Sequence, residues 1–599
     1  MTFTNARRSA LSCVVASVCA FPAPAAAEWR RLDTPNFIVI GEASARDLGH
    51  IAAQFESFRE TLSRILSARA TATAVPTVVI VFPDERAFAP FERLFQGKPV
   101  DSAGAFHGDR DFNFIAILND ARPGGIRVVF HEYAHLVISN ITMNLPTWLD
   151  EGLAEYYSSF EAERDGREGT IGRPIESHLR ILERVRPLEI EQLIRVDQSS
   201  PLYNEGLRRS IFYAQSWALA HMLLATPEGS RKLTDLIGHL DAGIASAEAW
   251  QRVFESAVVQ RDLQMYLRRR WFKTQRYTFG EKRSALDATS APMPAADARA
   301  MLASLYLRQR RYDDAERLAD AVLKEDENHG LANVVAARVD IERGDLVAAM
   351  ARLGELEAGD DWFVAYSAGA ALADLVTRSA GVASERVEAA RRQFAGVQRH
   401  REMANVHAHL AMLELSSPLG EPAQASASIR RARELAPGRD DYALIEARVL
   451  ADLGDFDAAR RILDAMMRPG YPAHIRDTAR EWLDNVSKMK SSRQRGIPRT
   501  TAGYRARLPG EERIEGLLEG ITCPAAAPAA FHLRTGAGSE TLFAADLAAV
   551  QFITYRRDLR GRVPCGTLKE PLPVYLTWKN SADPATRLVV AVEFLPQKQ

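Results

Sequence analysis

Two histidines four residues apart are the residues of this sequence best suited to chemistry. His131 and His135 enclose Glu132 within Ile126–Ile138, an apolar run with helical spacing. Residues at positions i and i+4 share one face of an α-helix, so both imidazoles can reach one metal ion. A carboxylate on a following helix can supply a third ligand. This arrangement leaves the fourth position to water, as a catalytic zinc site requires.

The carboxylate for that third position is predicted in the segment Trp148–Tyr156. Glu151 and Glu155 are four residues apart, so they share a helix face, and one can bind the metal while the other accepts the second N–H of a histidine ligand. We predict Glu151 as the ligand and Glu155 as the outer partner. The reverse assignment is the alternative. Asp150 is expected to face solvent or to lie behind the ligands, and Gly152 is expected to let the two helices pack closely.

The competing interpretation is a pair of buried structural histidines beside a surface glutamate. With 13 histidines in 599 residues, the pattern His-Glu-x-x-His should occur by chance in roughly 2% of such chains, so the motif needs its context. The structural interpretation leaves Asp150-Glu151-Gly152 unexplained. The sequence therefore favours zinc binding.

The two segments, His131–His135 and Trp148–Tyr156, resemble the gluzincin metallopeptidases, in particular the peptidase MA-like families found beside tetratricopeptide repeats in bacterial exported proteins. The resemblance implies a zincin-like domain that holds one Zn²⁺ through His131, His135 and Glu151, with Glu132 as general base. In that chemistry zinc polarises the scissile carbonyl and activates water, and Glu132 carries the proton to the leaving amine.

A further hydrogen-bond donor is needed for the oxygen that becomes negatively charged. Related enzymes use a Tyr or His from a later helix, and Tyr213, with His221 behind it, is the candidate. Tyr213 is equally consistent with a core aromatic residue. The glutamate with which aminopeptidase relatives hold a free N-terminus is not recognisable near Gly104–His107, so an endopeptidase is expected.

The segments around the motif read as a mixed α/β domain over residues 28–280. Residues 36–40, 77–82 and 112–118 are rich in β-branched and aromatic residues, which is typical of strands, and residues 47–66 have helical periodicity. Residues 104–107 are a candidate hairpin partner for the third strand. An edge strand at that place would pair with an extended substrate backbone.

A repeat of 34 residues follows. Tyr312–Ala315 recurs as Leu346–Ala349, and Pro422–Ala425 recurs as Phe456–Ala459. This is the period of the tetratricopeptide repeat, a helix–turn–helix unit, so residues 297–490 are predicted to form a helical solenoid. Its concave surface is expected to bind a protein partner or substrate.

Residues 511–599 are predicted to form a small all-β barrel or sandwich, because short strand-like segments alternate with Gly- and Pro-containing turns. Residues 281–296 and 491–510 are expected to be linkers. Cys523 and Cys565 are predicted to form one disulfide, with a two-cysteine metal site as the alternative.

Residues 1–27 have the pattern of a cleavable signal peptide. Arg7 and Arg8 precede an apolar stretch, Ser9–Phe21, that is too short to span a bilayer, and Ala25–Ala27 supplies small residues for cleavage. The protein is therefore expected in the periplasm or outside the cell, without stable membrane insertion. The balance of 76 Lys and Arg against 77 Asp and Glu gives no indication of a nucleic-acid partner.

The expected fold class is thus an α+β multidomain protein, and the expected function is that of an exported zinc metallopeptidase whose repeats recruit a protein. The alternative is a non-catalytic repeat scaffold with a structural or idle zinc site in a peptidase-like domain. The presence of Glu132 favours the enzyme, since a structural zinc site does not need it.

Overall fold

The computed structural model describes residues 28–595 with gaps, and the predicted signal peptide lies outside the described residues. The gaps are 69, 73, 93, 96–97, 100–103, 120–124, 143–144, 164–167, 198, 205, 280–289, 355, 358, 379–383, 417–421, 469–470, 472, 495–504, 506, 509, 525–526, 536–537, 546, 555–564 and 581–586.

The first part of the chain alternates strands and helices. Its strands are β1 (Arg30–Asp33), β2 (Ile38–Gly41), β3 (Thr77–Phe82), β4 (Leu94–Phe95), β5 (Lys98–Pro99), β6 (Gly104–Gly108), β7 (Asn113–Leu118), β8 (Glu161–Ala162), β9 (Glu168–Ile171), β10 (Gln275–Thr278) and β11 (Ala291–Pro292). Its helices are α1 (Ala45–Ile65), α2 (Glu85–Phe88), α3 (Gly125–Ser139), α4 (Thr147–Ser158), α5 (Glu176–Arg184), α6 (Ile190–Leu193), α7 (Pro201–Asn204), α8 (Gly206–Leu224), α9 (Pro227–Asp241), α10 (Ser246–Val253) and α11 (Ser256–Arg269).

Six of these strands form one mixed sheet in the order β11-β1-β2-β3-β7-β6. Strands β2, β3 and β7 are parallel, and β6 is antiparallel to β7, with Phe106 opposite Ile115. The predicted strands and the predicted hairpin are therefore present. Within the described residues, β6 is the outermost strand on its side of the sheet.

The sheet is buried on both faces, and the alternation of side chains along each strand separates two cores. One face packs against α1 and α3 through Val39, Val79, Val81, Ile115 and Ile117. The other face packs against helices that follow residue 294 in the chain, through Ile38, Ile40, Val78, Ile80 and Phe114. Strands that are apolar on both faces are expected in a sheet covered by helices on each side.

The helical repeat packs in two layers. The first layer contains α12 (Ala295–Arg308), α14 (Gly330–Arg343), α16 (Trp362–Arg378), α18 (Ala404–Ser416), α20 (Asp440–Leu453) and α22 (Ala473–Gln494). The second layer contains α13 (Tyr312–Leu323), α15 (Leu346–Gly354), α17 (Ser384–Gln398), α19 (Pro422–Leu435) and α21 (Phe456–Met466). Each second-layer helix contacts the first-layer helices before and after it, and successive first-layer helices contact one another. This is a tetratricopeptide-like solenoid, an architecture that presents surfaces to proteins.

The first layer of this solenoid lies against the α/β sheet. Phe91, just after α2, stacks on Tyr306 of α12 with ring centroids 4.6 Å apart, and Phe112, just before β7, meets Tyr366 of α16 at 5.2 Å. Along this stretch the first layer therefore contacts the sheet of its own chain. Apolar side chains on the second face of the sheet are covered by the repeat helices of the same chain.

The predicted linkers differ in part from the structure. Of residues 281–296, Ala291 and Pro292 form β11 and pair with β1, and α12 begins at Ala295. Residues 281–289 and most of 491–510 lie outside the described residues. The return of the chain to the sheet at β11 is a long-range backbone pairing, which local composition does not encode.

The last part of the chain is a β-barrel, one of the two architectures predicted. Strands β12 (Glu511–Thr522), β13 (Ala529–Thr535), β14 (Gly538–Ala544), β15 (Gln551–Thr554), β16 (Gly566–Asn580) and β17 (Arg587–Phe594) form it. The order β14-β13-β12-β16-β17-β15 closes through a pairing of β14 with β17 at Phe543 and Leu588. Cys523 and Cys565 form the predicted disulfide and tie the end of β12 to the start of β16.

Among the described residues, no helix is both long enough and apolar enough to span a bilayer.

Candidate metal centre

Helices α3 and α4 bring the predicted ligands together. In α3 the buried residues Val129, Phe130, Tyr133 and Ala134 face the core, which leaves His131 and His135 one turn apart on a half-buried face. Helix α4 packs against α3 and turns its buried Glu151 toward them. One ligand atom from each of the three residues lies within 4.8 Å of the others.

The distances among the three donor atoms fit a small tetrahedral ion. His131 Nε2 lies 3.1 Å from His135 Nε2, and these atoms lie 3.2 and 3.4 Å from Oε2 of Glu151. Ligands bound at ~2.0–2.1 Å with tetrahedral angles stand ~3.3–3.4 Å apart, the geometry of zinc sites. Two neutral imidazoles and one carboxylate are also a donor set that zinc accepts. Oε2 of Glu151 is buried and makes no aligned hydrogen bond, so it is available to a cation.

Each histidine has a carboxylate behind it. His135 Nδ1 lies 3.0 Å from Oδ1 of Asp150, and His131 Nδ1 lies 3.6 Å from Oε1 of Glu155, slightly beyond hydrogen-bond length. Such partners fix the tautomer and turn Nε2 toward a metal. The expectation for Asp150 was solvent or a place behind the ligands, and the structure places it behind His135.

Glu155 is held by Arg127 and His178, two residues that no sequence pattern connects to the motif. Arg127 Nη1 donates to Glu155 Oε2 at 2.6 Å, and His178 Nε2 lies 3.2 Å from the same oxygen. Burial alone would raise the pKa of Glu155, but contact with His178 and the charges of His131 and Arg127 lower it to about 2. Glu155 is therefore an anion that supports His131.

The charge of the site is set by close contact between histidines and carboxylates. Burial lowers the pKa of His135, but its close contacts with Asp150 and Glu151 outweigh burial and raise that pKa to about 10. His131 and His135 in turn hold the pKa of Glu151 well below its ordinary value, although burial alone would raise it. In the metal-free site each group therefore favours the charged form of the other, and a metal ion and a proton compete for the His135 imidazole.

Two tyrosine hydroxyls bind the other carboxylate oxygen of Glu151. Tyr213 of α8 donates to Oε1 of Glu151 at 3.1 Å, and Tyr203 of α7 donates to the same oxygen at 2.9 Å. The Tyr213 ring lies 6.3 Å from the His131 ring. Tyr213 thus lies at the cluster, whereas His221 is buried elsewhere and bonds Gly172 O and the Tyr266 hydroxyl. Tyr203 was not predicted, because nothing in its spacing from the motif marks it.

Gly152 packs differently from the prediction. A Cβ atom on Gly152 would lie 2.5 Å from the backbone oxygen of Ser216, so the close neighbour of α4 at this point is α8 rather than α3. Ser216 lies one turn after Tyr213. The absence of a side chain at residue 152 therefore allows the approach of α8 that brings the Tyr213 hydroxyl to Glu151.

We expect Gly152→Ala to lower the free energy of unfolding by about 1–3 kcal/mol, because the added methyl group overpacks two helix backbones. It should also weaken zinc binding, since Glu151 would move with α4. Denaturant unfolding of the metal-free protein and competition with a chromophoric chelator measure the two effects. Gly238→Ala in α9 is the matched control, because a Cβ there meets nothing within 4 Å. Equal unfolding midpoints for the two variants would contradict the packing argument.

Comparisons with known proteins cover two parts of the chain. Residues 125–240, which include α3, α4 and α8, match the model of a family described as "Protein of unknown function (DUF1570)". No curated protein matches the chain. The metallopeptidase resemblance is therefore still a prediction.

The similar solved structures correspond to about a third of the chain. A thermophilic tetratricopeptide-repeat protein of Thermus thermophilus is 20% identical, with 31% of this chain and 98% of its own covered and a TM-score of 0.26. PilF of Pseudomonas aeruginosa is 18% identical, with 35% and 94% covered and a TM-score of 0.23.

Proposed function

We propose that this protein is a zinc-dependent peptidase, and that His131, His135 and Glu151 hold its zinc ion. The main observation that supports the proposal is the triangle formed by Nε2 of His131, Nε2 of His135 and Oε2 of Glu151, with sides of 3.1, 3.2 and 3.4 Å. Glu132 lies directly between the two histidines in sequence. A purely structural metal site would have no use for this residue.

The zinc ion would supply Lewis acidity toward a peptide carbonyl and toward water. Side chains of the chain supply the remaining steps. Glu132 leaves α3 about 100° round the helix from His131, so it does not compete for the ion. Its carboxylate accepts the proton of the attacking water and passes it to the nitrogen of the leaving amine.

Tyr213 is proposed as the donor to the oxygen that gains negative charge. Its hydroxyl already lies 3.1 Å from a carboxylate oxygen of Glu151, and a donor held there needs little rearrangement to meet a second oxygen. Tyr203, 2.9 Å from the same oxygen, keeps Glu151 oriented while Tyr213 turns. Asp150 and Glu155 keep the two imidazoles directed at the ion.

The substrate class is proposed to be an extended polypeptide, cleaved internally. The outer strand β6 packs beside α3, and an extended chain can add to a sheet at its outer strand. The tetratricopeptide-like solenoid adds surface for a protein partner. Export to the periplasm or beyond is part of the proposal and rests on the signal-peptide pattern in residues 1–27.

The scaffold alternative shares the zinc site and differs only in chemistry. In that case the protein binds zinc but cleaves nothing, and the repeats carry the function. Glu132 favours the enzyme, because it is not needed to hold an ion that already has three protein ligands.

The first test is metal content together with cleavage. We expect the purified protein to bind one zinc ion per chain, to cleave an unfolded protein such as casein, to lose cleavage with a chelator and to regain it with zinc. Elemental analysis and mass spectrometry of the products measure these results. Stoichiometric zinc without cleavage would support the scaffold, and no zinc after supplementation would contradict both proposals.

A further inference from the structure

The turn between β6 and β7 is a compact unit that projects from the sheet. This hairpin turn comprises residues 109–112. Asp109 Oδ1 accepts hydrogen bonds from the backbone N–H groups of Asp111 and Phe112, each at 2.8 Å, and Asp109 N donates to Phe112 O. Hydrogen bonds of Asp109 within the turn therefore define the conformation of these four residues.

Asp111 at the tip of the hairpin turn is buried between repeat helices. Its residue is only 4% exposed. Its Oδ1 lies 2.9 Å from Asn405 Nδ2 and 2.8 Å from His409 Nε2, and Arg338 Nη2 donates to Oδ2 at 3.3 Å. A carboxylate this deep in a protein is tolerated only with such partners, because an unpaired buried charge is strongly unfavourable.

The other atoms of the hairpin turn are bound in the same way. The Tyr366 hydroxyl donates to the backbone oxygen of Asp111 at 2.9 Å, and Arg439 donates to the backbone oxygen of Arg110 at 3.2 Å. Arg308 at the end of α12 pairs with Asp109. Contacts to Asp109, Arg110 and Asp111 thus come from four consecutive first-layer helices, α12, α14, α16 and α18, and from Arg439, the residue before α20.

The hairpin turn continues directly into the strand that lies beside the candidate metal centre. A Cβ on Gly104 of β6 would lie 2.6 Å from Cγ2 of Val129, two residues before His131 in α3. Phe106 packs into the core on the α3 side, and Ala105 packs into the core on the repeat side. Strand β6 is therefore held between the metal-site helix and the repeats.

We propose that the first helix layer supports the hairpin turn, and that Asp111 is a positioning residue that holds β6 in place along α3 for an extended substrate. The part about substrate rests on the proposed function, and the part about β6 rests on the contacts alone. One role of the repeat is therefore within its own chain, where polar side chains of the repeat bind three residues of the hairpin turn.

The test compares Asp111→Asn with wild type in the full chain. Asparagine keeps the shape of the side chain but removes the charge that faces Arg338 and His409. We expect unchanged zinc content, and hydrogen exchange of the β6 amides faster by about tenfold or more, because hydrogen bonds to a charged group are lost. For a long unfolded substrate KM should rise severalfold, while kcat for a peptide too short to span β6 should be unchanged.

Tyr366→Phe removes one hydroxyl bond to the same turn and is a milder variant with the same expected direction, which keeps the test available if Asp111→Asn does not fold. Asp340→Asn is the control, since Asp340 of α14 pairs with Arg352 of α15 at 3.1 Å, a contact within the repeat.

Unchanged hydrogen exchange of the β6 amides in the Asp111 variant would overturn the proposal, and so would an equal rise in exchange throughout the α/β domain. The exchange measurement needs no cleavage, so it decides the role of the hairpin turn even if the peptidase proposal fails. Faster exchange confined to β6 with unchanged KM would overturn the substrate role of Asp111.

Discussion

Glu132→Gln protein is expected to retain one zinc ion per chain and to cleave an unfolded protein about 10²–10⁴-fold more slowly than wild type. Glutamine keeps the size of the side chain but cannot accept the proton of the attacking water, and general-base catalysis contributes a factor of this order. His131, His135 and Glu151 are unchanged in the variant, so the metal should stay. Elemental analysis and initial rates on a labelled protein substrate measure the two quantities.

The control for this variant is Glu228→Gln, which removes an exposed carboxylate of α9 that pairs only with Lys232 among the contacts seen for it. Its rate and zinc content should equal those of wild type. Equal rates for Glu132→Gln and wild type would remove Glu132 from the mechanism. Loss of zinc from Glu132→Gln would mean that the residue supports the ion instead of the reaction.

Glu151→Ala protein is expected to lose stoichiometric zinc and all cleavage above background. Oε2 of Glu151 lies 3.2 Å from Nε2 of His131 and 3.4 Å from Nε2 of His135, so its removal takes away the third ligand. Zinc at a hundredfold excess over its Kd should stabilise wild type by about 2.7 kcal/mol, and this stabilisation should be absent from the variant. Unfolding with and without zinc, followed by elemental analysis, measures the effect.

Glu155→Gln separates the two ligand assignments that the sequence left open. In the structure Glu155 lies behind His131, so its amide variant should keep the ion with affinity reduced about 10–100-fold, the usual effect of losing an outer partner. Zinc loss from Glu155→Gln with retention in Glu151→Ala would reverse the assignment. Zinc retained by both variants would place the third ligand elsewhere.

Local sequence patterns predicted the parts of the fold that depend on neighbours in the chain. Helix α1 spans Ala45–Ile65 where residues 47–66 were expected, and β3 spans Thr77–Phe82 as predicted. These patterns arise from the periods of helix and strand, which repeat within a few residues. The 34-residue repeat is likewise visible, since each helical hairpin repeats the spacing of its small buried residues.

The candidate site was predictable to the extent that its residues share a helix face. His131 and His135 are one turn apart, as are Glu151 and Glu155, so their common faces follow from helical geometry alone. The sequence could not show which helix face meets which neighbour. That is why Gly152 was expected against α3 and lies against α8, and why Tyr203 and His178 were missed.

By itself, the sequence determined the helix that carries the histidines, the carboxylates that face them, the strands, the repeat and the cysteine pair. Only the tertiary structure decided that Asp150 supports His135, that two tyrosines meet at Glu151 and that Asp111 enters the first layer of the repeat. The physical reason is the distance along the chain. Asp111 lies 227 residues before Arg338 and 298 before His409, and contacts over such separations depend on the packing of whole elements, which no local period records.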